Sequence, residues 1–487
     1  MSAFNYKVII KVLGAITTII GLTMIPPLFV AMIYHENLLV ISYLKTIIPS
    51  VLTGLIIIFC VKPGSTSLKI RDGYLIAGLC WVVASAIGAF PYLLSGVMTN
   101  FIDAFFESVS GFTTTGSTII VDLSEIPKSL QFWRSFCHWL GGMGILILAI
   151  SLLPALGIGG LKIVSAEAPG PTIEKMSAKI TDSAKILYIM YISFTLIEIL
   201  LLCLGGLNLF DAMIHTFGSM GTGGLSNYSN GVAHFDSIYV EFIIIVFSVF
   251  ASINFVLYHH ILQGRWRDFW RDPELRTFLI ILGVSILLIA LNLRLTNTYP
   301  NIGNSLRYSF FQATSFITTS GFATTDYTLW PSFTQIVLFC LMFIGGCSAS
   351  TCGSIKVIRI MILFKLFIRG LYKRLHPNAV VPVKLGGKII SSETVSRVSS
   401  FTILFFTLFV ISSLVVSLEN YDLITTISAA ASSLSNTGMG LGLVGPAGTF
   451  SIFSEPTRLY LSFIMIAGRL ELFTIIMMLT PSFWKSS

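Results

Sequence analysis

Charge is scarce in this chain. Asp, Glu, Lys and Arg supply 11% of its 487 residues, against 54% hydrophobic residues and a mean hydropathy of +0.86. Such a composition cannot cover a soluble surface, which excludes an ordinary globular protein. Acidic residues are the rarer sign, 22 against 30 basic. The basic residues lie in loops between apolar runs, so the net +8 reports membrane topology and attraction to anionic lipid, and nucleic acid is not an expected partner. Cysteine is sparse and odd in number. Cys60, Cys80, Cys137, Cys203, Cys340, Cys347 and Cys352 sit in or beside apolar runs without zinc spacing, so a disulfide framework is excluded and each reads as a small packing residue. No Ser-His-Asp order, Walker lysine or convergent acid, base or metal cluster stands out, which argues against an enzyme and leaves no cofactor expected on the chain. Gly440-Leu-Gly442-Leu-Val-Gly445 matches a dinucleotide pattern but follows no strand. His259 and His260 are adjacent and so share no helix face.

Apolar runs are abundant. Roughly ten reach the ~20 residues that span a bilayer core of ~30 Å. The first follows Lys7 and Lys11 as a signal peptide would, yet it is too long and continues through Pro26-Pro27, so a retained helix is expected. With both termini cytoplasmic, only Lys45, Lys128, Arg134, Arg294, Arg307 and Arg458 of the 30 Lys and Arg fall outside, and Arg469 lies within a span. The inner set includes Lys62, Lys69, Arg71, Lys162, Lys175, Lys179, Lys185, Arg265, Arg267, Arg271, Arg276 and the cluster from Lys356 to Lys388. That asymmetry is what the positive-inside rule requires.

The chain also repeats itself. Asp103-Ala-Phe-Phe-Glu-Ser-Val-Ser-Gly-Phe-Thr-Thr-Thr-Gly116 returns as Asp211-Ala-Met-Ile-His-Thr-Phe-Gly-Ser-Met-Gly-Thr-Gly-Gly224. Phe310-Phe-Gln-Ala-Thr-Ser-Phe-Ile-Thr-Thr-Ser-Gly321 and Ser428-Ala-Ala-Ala-Ser-Ser-Leu-Ser-Asn-Thr-Gly438 are the third and fourth copies. Each is a short amphipathic stretch, a few small hydroxyl residues and a glycine, flanked by apolar runs. The triplets are Thr114-Thr115-Gly116, Thr222-Gly223-Gly224, Thr319-Ser320-Gly321 and Asn436-Thr437-Gly438, and only the last glycine is common to all. Glycine permits the dihedrals needed to aim backbone carbonyls one way. Irregular backbone at membrane depth is tolerated where it lines a wet cavity. Four such segments around one axis are a means of replacing the water of a monovalent cation with peptide oxygens. Re-entrant loops without an ion are the competing reading.

The expected fold is therefore an all-α polytopic membrane protein. An N-terminal two-helix hairpin (residues 1–68) precedes four fused units, 69–168, 169–270, 271–385 and 386–487, each an outward span, a half-length pore helix, a filter-like loop and an inward span around one central pore. The joints are Gly157-Ile-Gly-Gly-Leu-Lys162 with Pro169-Gly-Pro171, Gly264-Arg-Trp-Arg267, and His376-Pro377 with Gly386-Gly387. Asp103 and Asp211 are expected to cap their pore helices. The inward spans are placed at Phe132–Leu156, Tyr239–Leu262, Phe333–Ile368 and Tyr460–Leu479. Gly141-Gly142, Ala251-Ser252, Gly345-Gly346 and Ala467-Gly468 lie roughly 25–30 residues after their glycines, at similar depth on a helix, where small residues allow close approach.

Two further features bear on gating. A helix from Phe333 to Ile368 would be ~54 Å long, and its middle holds the poor helix formers Gly345, Gly346, Cys347, Ser348, Ala349, Ser350, Thr351, Cys352 and Gly353, with Lys356 beyond. A break into a loop below the filter is expected, a kinked helix being the alternative. Arg469 is a charge within a span. It either holds a fixed positive charge beneath the filter or pairs with Glu471 or Glu107.

Phe-Thr-Thr-Thr-Gly116, His138-Trp-Leu-Gly-Gly-Met-Gly144, Trp270-Arg-Asp-Pro-Glu274, Phe343-Ile-Gly-Gly-Cys347, His376-Pro-Asn-Ala379 and Gly468-Arg-Leu-Glu471 resemble the TrkH family of bacterial potassium uptake proteins, within the TrkH/KtrB superfamily, over essentially the whole chain. The resemblance implies K⁺ as the transported ion and a homodimer in the bacterial cytoplasmic (inner) membrane. It also implies a cytoplasmic TrkA-like regulatory subunit that binds nucleotides, with the filter glycines, the loop 345–353 and Arg469 as functional elements. Relatives with serine in the first filter favour Na⁺, so four glycines imply K⁺. The family's loop often carries more glycine than Cys352-Gly353-Ser354 does here. An ion-coupled secondary transporter of a small solute is the alternative, but its repeats would normally be inverted or paired.

Overall fold

A computed structural model describes residues 4–64, 68–144 and 180–485. Among the described residues the regular structure is helical apart from one two-stranded β-ribbon, Lys384–Leu385 with Lys388–Ile389. An N-terminal hairpin pairs α1 (Tyr6–Thr23) and α2 (Ile25–Ile33) with α3 (Asn37–Cys60). Pro26 and Pro27 sit in the first turn of α2, where no helical N–H is lost, so the two helices run on as one 28-residue span. Gly14 and Gly54 let α1 and α3 cross closely, because a Cβ on either would strike the other helix. Glu36, at the hairpin's turn, accepts from the amides of Lys128 (2.6 Å) and Ser129 (3.2 Å) and so docks the hairpin on the first unit.

Four repetitions of one pattern follow. The opening helices are α4 (Ile70–Leu94), α7 (Ile180–Leu204), α12 (Pro273–Leu295) and α16 (Ser392–Ser417). Their 23 to 26 residues are enough to cross a hydrocarbon core. Those of the last two units leave Ile280, Leu287, Leu291, Ile403, Val410 and Leu414 exposed, an outward apolar face suited to lipid. The half-length helices are α5 (Phe101–Phe112), α8 (Leu209–Gly221), α13 (Ile302–Ile317) and α17 (Leu423–Ser435). The closing helices are α6 (Lys128–Gly142), α9 (Ile238–Ser252), α14 (Ser332–Met342) and α18 (Glu455–Arg469). Among the described residues, six helices are long and apolar enough to span a membrane, or eight if two bent pairs are counted.

The closing helices correct the expected spans. All stop within three residues of the small-residue pairs rather than running on. The second unit turns by 93° between α9 and α10 (Phe255–Leu262), and the fourth by 120° between α18 and α19 (Phe473–Leu479). The third breaks from Phe343 to Lys356 before α15 (Val357–Leu375), as the Gly/Ser/Thr composition predicts. The first ends at Gly142; its continuation to Leu156, the joint at 157–171 and Lys162, Lys175 and Lys179 lie outside the described residues. In the third unit, α13 begins at Ile302, eight residues ahead of the Phe310 that opens the repeated segment.

The caps also differ. Asn100, Asn208, Asn301 and Asp422 accept from the first-turn amides of the four half-length helices, each at 2.9 Å. An N-cap side chain lies just before the helix, so Asp103 and Asp211, already inside the first turn, cannot fill that role. Asp103 instead pairs with Arg458, and Asp211 binds Asn227 (2.7 Å) and Tyr228 (2.9 Å).

One ion pair among the described residues is buried on both sides. Arg134 on α6 donates to Glu107 on α5 at 2.7 Å, with side chains 1% and 0% exposed. Glu107 also accepts from the Thr118 hydroxyl (3.0 Å) and the Ile119 amide (3.2 Å), bracing the segment just past Gly116. Arg134→Met would strand a buried carboxylate and is expected to cost about 3–5 kcal/mol. Thermal melting of the purified protein measures it, and a melting point equal to wild type would show that the pair is not required.

Candidate functional site

The four half-length helices end in the same backbone figure. Thr114, Thr222, Thr319 and Asn436 adopt left-handed φ values of 54°, 54°, 52° and 55°. The next amide reaches back five residues: Thr115 to the Ser110 carbonyl (2.9 Å), Gly223 to Gly218 (2.8 Å), Ser320 to Ser315 (3.0 Å) and Thr437 to Ser432 (3.0 Å). This is a helix C-cap of Schellman type, and it satisfies carbonyls that a buried helix end would otherwise leave free. Gly116, Gly224, Gly321 and Gly438 follow at φ 85°, 68°, 72° and 83°, where an L side chain is strained.

The glycines then close a ring in chain order. A Cβ on Gly116 would collide with the carbonyl oxygen of Gly223, one on Gly224 with that of Ser320, one on Gly321 with that of Thr437, and one on Gly438 with that of Thr115. Each partner is the middle residue of the next triplet, and the fourth returns to the first. The seam is tied by side chains as well: Asn436 Nδ2 donates to Thr115 Oγ1 (2.9 Å) and to the Met465 carbonyl (2.9 Å), and Ser117 Oγ donates to the Gly438 carbonyl (3.2 Å). No charged side chain enters the ring's triplets. The negative ends of four helix dipoles, each equivalent to about half an elementary charge, converge on it and favour a cation.

A cavity of about 360 Å³ lies against the ring and is lined by all four glycines. Beside its Val121 and Leu123, Asp122 has its carboxyl held below the usual range by the hydroxyl and amide of Ser124. Among the described residues no group of three or more His, Cys, Asp and Glu could hold a metal ion. Gly440 to Gly445 form a turn closed by the Gly440 amide on the Val444 carbonyl (2.8 Å), with no strand before it.

On the side of the closing-helix breaks, the segment 343–356 packs against the ring. Gly353 donates its amide to Thr319 Oγ1 (3.0 Å), and a Cβ there would meet the Ser435 carbonyl. Gly345 donates to the Ile355 carbonyl (2.9 Å), closing the segment's neck. Gly346 lies against Ser252, Cys347 donates to the Ser252 carbonyl (2.8 Å), and the Ala349 carbonyl receives the Phe255 amide (3.3 Å). Thr351 and Cys352 bond Ala251 (3.1 Å) and Ser252 (2.9 Å), while Ser350 caps the Cys347 carbonyl (2.5 Å). The break in the second unit is thus the seat of the segment from the third.

Arg469 completes this layer. Its guanidinium donates to the Thr351 carbonyl (2.6 Å) in the third unit and to the Gly141 (2.7 Å) and Gly142 (3.1 Å) carbonyls in the first. Of its expected carboxylate partners, Glu107 is held by Arg134 and Glu471 by Arg359. Lys356, grouped in the sequence with the cytoplasmic cluster, is buried instead and donates to the Cys352 carbonyl and Ser350 Oγ (3.3 Å). Glu471 and Leu472 both take left-handed φ values, 55° and 62°, where the fourth closing helix turns.

Glu274 was not foreseen as part of this layer. One carboxylate oxygen accepts from the Ser348 amide (2.7 Å), the Ser348 hydroxyl (3.1 Å) and the Ile358 amide (3.1 Å), tying the middle of the segment and the first turn of α15 to α12. An acidic residue one position after a helix-starting proline and ahead of an apolar run was the available signal.

Residues 42–486 match the TrkH family, described as a cation transport protein. The chain is 36% identical to the Trk system potassium uptake protein TrkH of Salmonella typhimurium, over 99% of this chain and all of that one. It is 34% identical to the Trk system potassium uptake protein TrkG of Escherichia coli, with both chains covered completely. The crystal structure of the potassium transporter TrkH from Vibrio parahaemolyticus superposes with a TM-score of 0.89 at 35% identity, covering 99% of this chain and 100% of that one. Four channel-like units closed head to tail, a helical membrane fold shared with a solved TrkH and full-length relatives at this identity together place the chain in the TrkH family of cation transport proteins.

Proposed function

We propose that this chain is the ion-conducting membrane subunit of a Trk-type potassium uptake system. The peptide oxygens beside Gly116, Gly224, Gly321 and Gly438 replace the hydration shell of K⁺, which passes without any covalent chemistry. Thr114, Thr115, Thr222, Gly223, Thr319, Ser320, Asn436 and Thr437 form the rest of the filter. The observation that carries the reading is the chain-order contact of each ring glycine with the next triplet's carbonyl. The names of the relatives agree with it.

In this reading the units are residues 69–168, 169–270, 271–385 and 386–487, after a hairpin at 1–68. The loop 345–353, with Lys356 and Arg469, is the gate. It packs beneath the filter against residues of the second, third and fourth units, and Arg469 ties it to the end of α6 in the first, so moving it requires breaking many weak contacts at once. The protein works as a homodimer in the bacterial inner membrane with both termini cytoplasmic, and a cytoplasmic nucleotide-binding TrkA-like subunit biases the gate.

Uptake of radioactive Rb⁺ into proteoliposomes, competed by K⁺ and not by organic solutes, tests the function. Competition by a solute would favour a secondary transporter instead. Glu274→Ala tests the gate. Removing one acceptor of three charge-assisted bonds is expected to raise Rb⁺ entry without the partner subunit by about tenfold. Unchanged entry would remove the Glu274 clamp from the gating account.

A further inference from the structure

The second triplet departs from the other three at its middle position. Thr115, Ser320 and Thr437 carry hydroxyls there, and Thr115 Oγ1 and Thr437 Oγ1 lie 2.8 Å and 2.7 Å from Thr113 Oγ1 and Ser435 Oγ. Gly223 carries nothing. Its backbone does not demand glycine, since it is absent from the positive-φ residues that include its neighbours Thr222 and Gly224. What demands it is another side chain: the three atoms nearest a Cβ on Gly223 all belong to the imidazole of His138.

His138 comes from α6, the closing helix of the first unit, one turn before Gly142. It is fully buried, and neither ring nitrogen has a hydrogen-bond partner among the described residues. Its Cε1 lies 3.9 Å from the Cβ position of Gly116, so the ring touches two adjacent quarters of the glycine ring. The helix itself is seated tightly there: a Cβ on Gly221 would meet the His138 backbone, and one on Gly142 would meet Gly221. An imidazole with unpaired nitrogens, wedged where a side chain is missing, contributes rigid volume rather than hydrogen bonds.

We infer that His138 supplies in trans the missing side chain of the second filter quarter and so sets the width of the ring between Gly116 and Gly223, making it a specificity-determining residue for cation passage. The inference rests on the filter reading above. Volume exchanged between positions 138 and 223 is then conserved, which a residue that merely packs α6 would not require.

The test is an exchange, read as Rb⁺ uptake into proteoliposomes and its competition by K⁺ and Na⁺. Gly223→Ser alone places a side chain inside the imidazole and is expected to abolish uptake. His138→Ala alone is expected to conduct while losing about tenfold in K⁺-over-Na⁺ discrimination, the lower end of what one pocket-filling group contributes. The double variant, with His138→Ala opening the space that Gly223→Ser fills, is expected to regain uptake relative to Gly223→Ser and discrimination relative to His138→Ala. If His138→Ala is not recovered intact from the membrane, His138→Ser with Gly223→Ala makes the same exchange. A double variant as inactive as Gly223→Ser, or a His138→Ala variant that discriminates like wild type, overturns the inference. Absence of K⁺-competed uptake in wild type would instead overturn the filter reading on which it depends.

Discussion

Arg469→Ala is expected to raise Rb⁺ uptake by about tenfold or more. A unit charge ~5 Å from a passing cation costs roughly 3 kcal/mol at an effective dielectric of 20, and water entering the vacated space lowers that figure. The structure adds a mechanical share. Arg469 reaches from the fourth unit to the Thr351 carbonyl in the loop and to the Gly141 and Gly142 carbonyls at the end of α6, so its loss frees the loop as well as the charge. Arg469→Lys separates the two shares, because it keeps the charge without the planar fork that binds several carbonyls. Uptake should then lie between wild type and the alanine variant. A purified, monodisperse Arg469→Ala protein with wild-type uptake would sink the gating role.

Gly116→Ser is expected to admit Na⁺ and to reduce K⁺-over-Na⁺ discrimination by about tenfold. Two physical terms act together. A φ of 85° is costly for any L side chain, about 1–2 kcal/mol, and the new Cβ would displace the Gly223 carbonyl across the ring. A carbonyl moved by a fraction of an ångström no longer matches the coordination that K⁺ leaves behind in water. The ring also predicts a ranking. Gly321 stands 2.6 Å (as Cβ) from the Thr437 oxygen, whereas the other three glycines are closer to theirs, so Gly321→Ser should be the mildest of the four serine variants. Measured Na⁺ and Rb⁺ entry in the same vesicles decides it; four equal effects would mean that contact distance across the ring is not what matters.

Much of the fold was legible in the sequence because membrane physics leaves few choices. Apolar runs of spanning length must be helices, because lipid leaves no other way to satisfy the backbone. The break after Met342 was legible too, since Gly345 to Gly353 contains little that favours a helix. The bends at Ile253 and Leu470 were not. Those closing helices stay apolar on both sides of the break, and composition alone does not separate a straight span from one turned by 93° or 120°. The caps were misread for a similar reason. Asn100 and Asn208 carry the same chemistry as the aspartates three residues later, and only the backbone geometry shows which side chain precedes the helix.

The amino-acid order by itself determined that this chain enters a membrane and that one small-residue segment recurs at four corresponding places. These follow from transfer free energies and from periodicity, both local along the chain. Only the tertiary structure decided which atoms meet. Gly116 and Gly223 are over a hundred residues apart, as are Arg469 and Thr351, and Arg359 and Glu471. Nothing in a linear pattern pairs groups at such separations, because contact depends on how four quarters close around an axis. That closure turns four unremarkable glycines into a ring, makes Gly223 answer to a histidine on another helix, and brings Glu274 to the amides of Ser348 and Ile358.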